Sequence, residues 1–210
     1  MTHRTTINNE NFILHPSGAA YWEEKKMLLL ADVHFGKITH FRKYGSAVPQ
    51  EVLYENFKKL NSLIAYFKPE KICFLGDLFH SYINSEWTLF AAWVQEISAQ
   101  TILITGNHDI ISPLRYEKIN VALYEELCIG NFLLTHHPQE QAPFFNFCGH
   151  VHPAIRLKGK GRQSIKLACF FERERQLIFP AFGAFTGTHL MKLGKKDKAY
   201  IITEHEVLAL

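Results

Sequence analysis

The sequence predicts an α/β fold in which two β-sheets pack together with helices outside, and three observations carry that expectation. Short apolar runs ending in polar residues recur at 26–32, 71–77 and 101–107, as buried parallel strands would. Helical periodicity separates these runs, which implies a mostly parallel sheet with helical crossovers. Beyond residue 150 the rhythm changes to strands joined by short turns, the mark of a second, mainly antiparallel sheet.

The elements follow in order. After the first run, Pro49 suits a first helical turn, and Leu53, Phe57, Leu60, Ile64 and Phe67 recur at steps of four and three. This spacing predicts a helix over about 50–66, stopped near Pro69. Ser85 is the expected cap of a second helix, with Leu89, Ala92, Trp93 and Ile97 as its inner face. Two further runs, 131–136 and 145–150, read as strands. In the second half, 165–171, 176–179 and 199–203 read as strands, with a turn around Gly159 and Gly161. Residues up to about 25 have a pattern too weak to place, and any strands there are assigned to this second sheet. Phe179, Phe182 and Phe185 are assigned to its core.

The chain has 210 residues, of which 47% are apolar and 20% charged. That suits one domain, 1–210, with a sizeable core. No segment approaches the roughly 20 apolar residues of a membrane span, and a cytoplasmic protein is expected. Cys73, Cys128, Cys148 and Cys169 are spread singly, so buried free thiols in a reducing compartment are expected rather than a zinc knuckle. Net charge is only +3, but basic residues gather at 37–43, 156–162 and 192–198. Taken alone, such runs read as solvated faces.

Five polar clusters fall at the predicted strand ends: Asp32-Val33-His34, Gly76-Asp77, Gly106-Asn107-His108-Asp109, His136-His137, and Gly149-His150-Val151-His152. Ligands in open α/β sheets bind beyond the carboxyl ends of the strands, so these clusters should meet in one crevice. The glycines are expected to let the chain turn sharply there. Each cluster alone is ordinary loop chemistry, whereas the matched set is not. Carboxylate, imidazole and amide oxygen suit divalent ions, and no thiolate is offered. Two such ions about 3.5 to 4 Å apart polarise a phosphate and bring the pKa of a shared water towards neutrality.

This ordered series resembles the calcineurin-like metallophosphoesterase superfamily over about residues 28–153. The resemblance implies a four-layer αββα sandwich of two mixed β-sheets with outer helices. It implies that Asp32, His34, Asp77 and His152 hold one metal, and that Asp77, Asn107, His136 and His150 hold the other, with Asp77 shared. The expected ions are manganese, with iron, zinc, nickel or cobalt as alternatives. His108 matches the histidine that stabilises the transition state or protonates the leaving group, and Asp109 would orient it. Where many relatives carry His-Gly, this chain has His136-His137-Pro138, which leaves His137 open as an alternative ligand.

A narrower resemblance rests on Leu30 to Lys37, His40 to Gly45 with Val48-Pro49, Leu75 to Ser81, and the segment Phe179 to Gly187. These are similar to the ligase-associated DNA damage response endonucleases of the PdeM type. That implies phosphodiester hydrolysis in DNA, single-stranded or damaged, with a DNA ligase and a helicase as partners. Lys37, Arg42 and Lys43 would neutralise backbone phosphates, His40 would stack on or hydrogen-bond to exposed bases, and His80 would either face the substrate or be a satisfied loop histidine. The rival readings are a hydrolase of a small or lipid phosphodiester or pyrophosphate, and a non-catalytic metal-binding scaffold.

Overall fold

The computed structural model describes residues 1–37, 54–80, 82–161, 163–183 and 186–210. Strands β1 (His3–Ile7), β2 (Glu10–Leu14), β3 (Ala20–Trp22) and β4 (Met27–Leu30) form an antiparallel meander. Asn8 and Asn9, which join the first two, both have positive φ (49° and 64°), the geometry of a tight hairpin turn. Helix α1 (Glu55–Phe67) leads to β5 (Lys71–Leu75), and helix α2 (Ser85–Glu96) to β6 (Gln100–Ile104). A short helix α3 (Pro113–Glu117) leads to β7 (Val121–Tyr124). Strands β4 to β7 pair in parallel, so the first sheet runs β1 to β7 in chain order.

The N-terminal strands therefore extend the first sheet, which corrects their expected place in the second. The reason is local. Short turns fold β1, β2 and β3 back one upon another and onto β4, so neighbours in sequence become neighbours in the sheet.

The second sheet comprises β8 (Leu127–Ile129), β9 (Phe132–Leu134), β10 (Phe145–Cys148), β11 (Pro153–Lys158), β12 (Ser164–Arg173), β13 (Gln176–Ile178), β14 (His189–Leu190), β15 (Lys198–Ile202) and β16 (Val207–Ala209). Its order is β14-β11-β12-β13-β10-β9-β8, with β15 on β12 and β16 on β15. β10 pairs in parallel with β9 and β13, and β11 with β14; the remaining pairs are antiparallel. Both sheets are mixed, as expected.

Alternation divides each central strand between two cores. Leu28, Leu30, Ile72, Phe74 and Leu103 pack against Phe57, Leu60 and Leu63 of α1 and Trp87, Phe90, Trp93 and Val94 of α2. Leu29, Cys73, Leu75, Ile102 and Ile104 instead meet Phe132, Leu134, Phe147, Phe170 and Phe179 between the sheets. Burial on both faces explains why these strands read as unbroken apolar runs. A third cluster, including Ile155, Cys169, Phe171 and Ile201, lies on the other face of the second sheet. All three described helices contribute to the core on the first sheet's outer face.

Several local expectations change. Asn84, not Ser85, caps α2, its side chain accepting from the Glu86 amide at 2.8 Å. The buried face of α2 is Glu86, Trp87, Phe90, Trp93 and Val94; Ala92 is exposed and Leu89 and Ile97 are only partly buried. That face is set one residue round from the predicted stripe because the aromatic rings fill the space over β5. The first described helix starts at Glu55 and ends at Phe67, capped by Lys68, whose left-handed φ of 49° precedes Pro69. Pro49 and Leu53 lie outside the described residues. Phe182 packs with the helix-side core rather than in the second sheet, and Phe185 lies outside the described residues. Cys128 is exposed on β8, unlike the other three cysteines.

Candidate metal centre

The ends of β4, β5 and β6 from one sheet, and of β9 and β10 from the other, bring the five polar clusters to one place. Beyond β4 and β5 the ladder continues: the amides of Asp32 and His34 donate to the carbonyls of Gly76 and Asp77 at 3.1 and 3.0 Å. This fixes the two carboxylates side by side. Asp32, His34, Asp77, His150 and His152 all adopt left-handed backbone, with φ between 50° and 68°. Asp and His tolerate that region better than most residues, but it costs free energy, and such strain gathers at functional sites.

Three of the expected glycines are next to this cluster. Gly76 needs its φ of 83°, and a Cβ there would run into the His136 ring. Gly106 and Gly149 lack positive φ. They matter for space instead: a Cβ on Gly149 would sit 2.6 Å from Asp32 Oδ2, and one on Gly106 would strike Asp77 Oδ1. Close approach, more than turning, is what these two positions require.

Side-chain groups within 4.8 Å of one another form three overlapping sets: Asp32, His34 and His152; Asp32, Asp77 and His136; and His136, His137 and His150. The hydrogen bonds around them set the ring tautomers. His136 Nδ1 lies 3.0 Å from the Leu75 carbonyl, which can only accept, so this nitrogen carries the proton. Nε2 then presents a lone pair to Asn107 Oδ1 at 3.1 Å, His150 Nδ1 at 3.2 Å and Asp77 Oδ1 at 3.4 Å. In the same way His152 Nδ1 donates to the Gly187 carbonyl at 3.1 Å, and Nε2 faces Asp32 Oδ1 at 3.2 Å. Asp32 Oδ1, His152 Nε2 and both ring nitrogens of His34 are buried without a hydrogen-bond partner among the described residues. Burying lone pairs against one another is unfavourable unless a cation lies among them.

Electrostatics agree with this. Burial, helped by Lys37 and neighbouring histidines, pushes the His34 pKa down to about 2, so its ring is neutral and free to act as a donor. Burial, with His137 and His136, also lowers that of His150. For His152 burial works against protonation, but the facing Asp32 carboxylate and the Gly187 carbonyl outweigh it and raise the pKa. A cation is thus favoured beside Asp32, whether proton or metal.

His108 and Asp109 sit on the turn after β6. The His108 ring lies 4.8 Å from that of His80 and 5.8 Å from that of His34, while its amide donates to Asp77 Oδ1 at 3.0 Å. Asp109 engages the main chain: Oδ1 accepts from the Phe79 amide at 3.0 Å and Oδ2 from the Gly106 amide at 2.9 Å. It therefore staples the β5 and β6 loops together. Burial raises its pKa to about 6 despite those bonds.

Of the expected substrate contacts, His80 is beside His108 and His34. Lys37 is half-buried, its pKa lowered by burial against the pull of Asp32 and Asp77. His40, Arg42 and Lys43 lie outside the described residues. His137 is exposed, with its ring 4.1 Å from that of His150. Sequence reasoning missed the carbonyls of Leu75 and Gly187 and the close packing of Gly183 on Val33 and Asp32. Backbone groups leave no side-chain signal to find.

Residues 25–179 match the calcineurin-like phosphoesterase family. Among solved structures, the Pseudomonas putida nuclease MPE is 26% identical, with all of both chains covered and a TM-score of 0.84. Two others are more distant. A protein of unknown function from Aquifex aeolicus is 18% identical, over 60% of this chain and 78% of that one, at a TM-score of 0.42. The phosphoesterase Yfce from E. coli is 14% identical, over 85% and 88%, at 0.42. No curated protein sequence matches. Family match and facing lone pairs agree: this chain belongs to the calcineurin-like phosphoesterase family and is a metal-dependent phosphoesterase.

Proposed function

We propose that the chain hydrolyses phosphodiester bonds in DNA, using two divalent ions, manganese by preference. In this reading Asp32, His34, Asp77 and His152 hold one ion, Asp77, Asn107, His136 and His150 hold the other, and Asp77 is shared. The observation that carries it is the convergence of lone pairs around His136 Nε2 and around His152 Nε2. The buried position of His136 and its bond to Leu75 favour it over His137 as the ligand.

Bound cations of this kind polarise phosphate oxygens and acidify water. The chain's own groups do the rest. The left-handed backbone and the His150 amide, which donates to Asp32 Oδ2 at 2.9 Å, hold the first carboxylate in a fixed rotamer. The His108 amide holds Asp77 in the same way. The His108 ring, beside His34 and His80, delivers the proton to the leaving oxygen. Lys37 supplies positive charge beside the site for a phosphate. The similarity to a nuclease over the whole chain supports nucleic acid as the substrate. The DNA-repair setting and the ligase and helicase partners implied by resemblance have no counterpart in the geometry. No described helix is long and apolar enough to cross a membrane.

The test is manganese-dependent hydrolysis of bis-p-nitrophenyl phosphate beside single-stranded circular DNA, with His108→Ala as the control. Both substrates should be cleaved. Loss of the general acid should slow turnover by roughly 10²- to 10⁴-fold with metal content unchanged. Cleavage of the small diester alone would discard DNA as the substrate and favour a small-molecule phosphodiester.

A further inference from the structure

We infer that the inner face of the β11–β12 hairpin is a track for the phosphate backbone of a nucleic-acid strand leading away from the metal centre. This rests on the nuclease reading above. β11 begins at Pro153, directly after His152, and the His152 carbonyl accepts from the His189 amide at 2.8 Å, so the hairpin is continuous with the site.

The side-chain pattern decides which face is charged. Ile155, Cys169 and Phe171 belong to the outer cluster, with Leu157 and Leu167 packed on it, whereas Phe170 belongs to the core between the sheets. Stepping by two from Phe170 along that inner face gives Ala168, Lys166 and Ser164. Their cross-strand partners are Ala154, Arg156 and Lys158. Where this face leaves the sandwich it thus changes from phenylalanine through alanine to three cations. Arg156, Lys158 and Lys166 are exposed.

Arg156 and Lys166 are directly opposed across the pair. Like charges in that position destabilise a strand pair. Among the described residues, none of the three cations has a carboxylate partner, and Lys166 Nζ donates only to the Thr188 carbonyl at 3.2 Å. A polyanion is the partner that relieves this repulsion. At about 3.3 Å per residue, Arg156 lies roughly 13 Å and Lys158 roughly 20 Å along the chain from His152. At the ~3.4 Å per-strand spacing of stacked B-DNA that path takes in at most about six nucleotides, and fewer when the strand is extended.

The test uses the manganese-loaded protein and the double variant Arg156→Gln/Lys158→Gln. Lys166 is left in place because it also holds Thr188. Affinity for a single-stranded oligonucleotide is measured against salt, together with hydrolysis of bis-p-nitrophenyl phosphate, which is too small to reach the hairpin. Losing two phosphate contacts should lower the slope of log K against log salt by about 1.4 and weaken DNA binding by about tenfold at low salt. The DNA-to-diester ratio of kcat/KM should fall with it, while thermal unfolding is no lower than in the parent, because Arg156 no longer opposes Lys166. A variant that binds and cleaves DNA with unchanged affinity and slope would overturn the track while leaving the nuclease reading intact. A parent protein that hydrolyses the diester but neither binds nor cleaves DNA would overturn both.

Discussion

Gly149→Ala is a one-carbon perturbation aimed at the fixed carboxylate. The added Cβ would lie 2.6 Å from Asp32 Oδ2, 2.6 Å from the Ala31 Cβ and 3.1 Å from the Leu75 carbonyl oxygen. Asp32 is wholly buried and Ala31 and Leu75 belong to the core between the sheets, so there is little room to yield. Overpacking of this sort costs about 1–3 kcal/mol. Displacing Oδ2 also breaks the charge-assisted bond from the His150 amide, worth about 1.5–3 kcal/mol. Together these predict a loss of roughly 2.5–6 kcal/mol, or about 5–24 °C in Tm for a chain of this size. Oδ1 moves as well, so manganese affinity should fall by about 10- to 100-fold. Gly187→Ala is the control, since a Cβ there meets nothing within 4 Å; it should stay within about 0.5 kcal/mol. Differential scanning calorimetry of the metal-free proteins and titration calorimetry with manganese read both effects. A Gly149→Ala protein as stable and as tight-binding as the parent would refute the close-approach argument.

Two further outcomes are expected. Burial, opposed by the nearby Glu55, pushes the Lys59 pKa from 10.5 down to about 8 while its ammonium donates to the Phe182 carbonyl at 2.6 Å. The folded state therefore holds the Lys59 proton less tightly than the unfolded chain, and stability should rise with pH between about 8 and 10.5, by up to roughly 3 kcal/mol. Lys59→Met should lack that rise in denaturant titrations across the window; an identical pH profile would contradict it. Of the adjacent histidines, His136→Ala should lower the number of tightly bound ions and abolish turnover, while His137→Ala should keep both within about a few-fold. Metal analysis and diester hydrolysis decide between them, and the reverse pattern would move the ligand to His137.

Much of this centre is legible in the sequence because strands buried on both faces must end in polar residues exactly where the chain leaves the core. The runs ending at Asp32, Asp77 and Asn107 announce themselves in that way. What is not legible is long-range. Nothing in Phe132 to Leu134 or Phe145 to Cys148 says that they join a different sheet from Leu28 or Phe74, so the crevice is built between two sheets rather than along one. Ser85 is as good a cap by type as Asn84, and only the backbone of the preceding loop decides between them. Asp109 looks like a partner for the His108 ring, yet two amides from different loops claim its oxygens. Arg156 reads as part of a solvated face and Lys166 as an ordinary strand residue until the strand register sets them opposite each other.

The central claim is that Asp77 is shared between two ions. The most direct measurement is metal content per chain together with electron paramagnetic resonance of the manganese-loaded protein, for the parent and for Asp77→Asn. Two ions per chain with exchange-coupled spectra in the parent, and loss of that coupling in Asp77→Asn, are predicted. A parent that binds a single, uncoupled ion at saturation while hydrolysing diesters at full rate would contradict it.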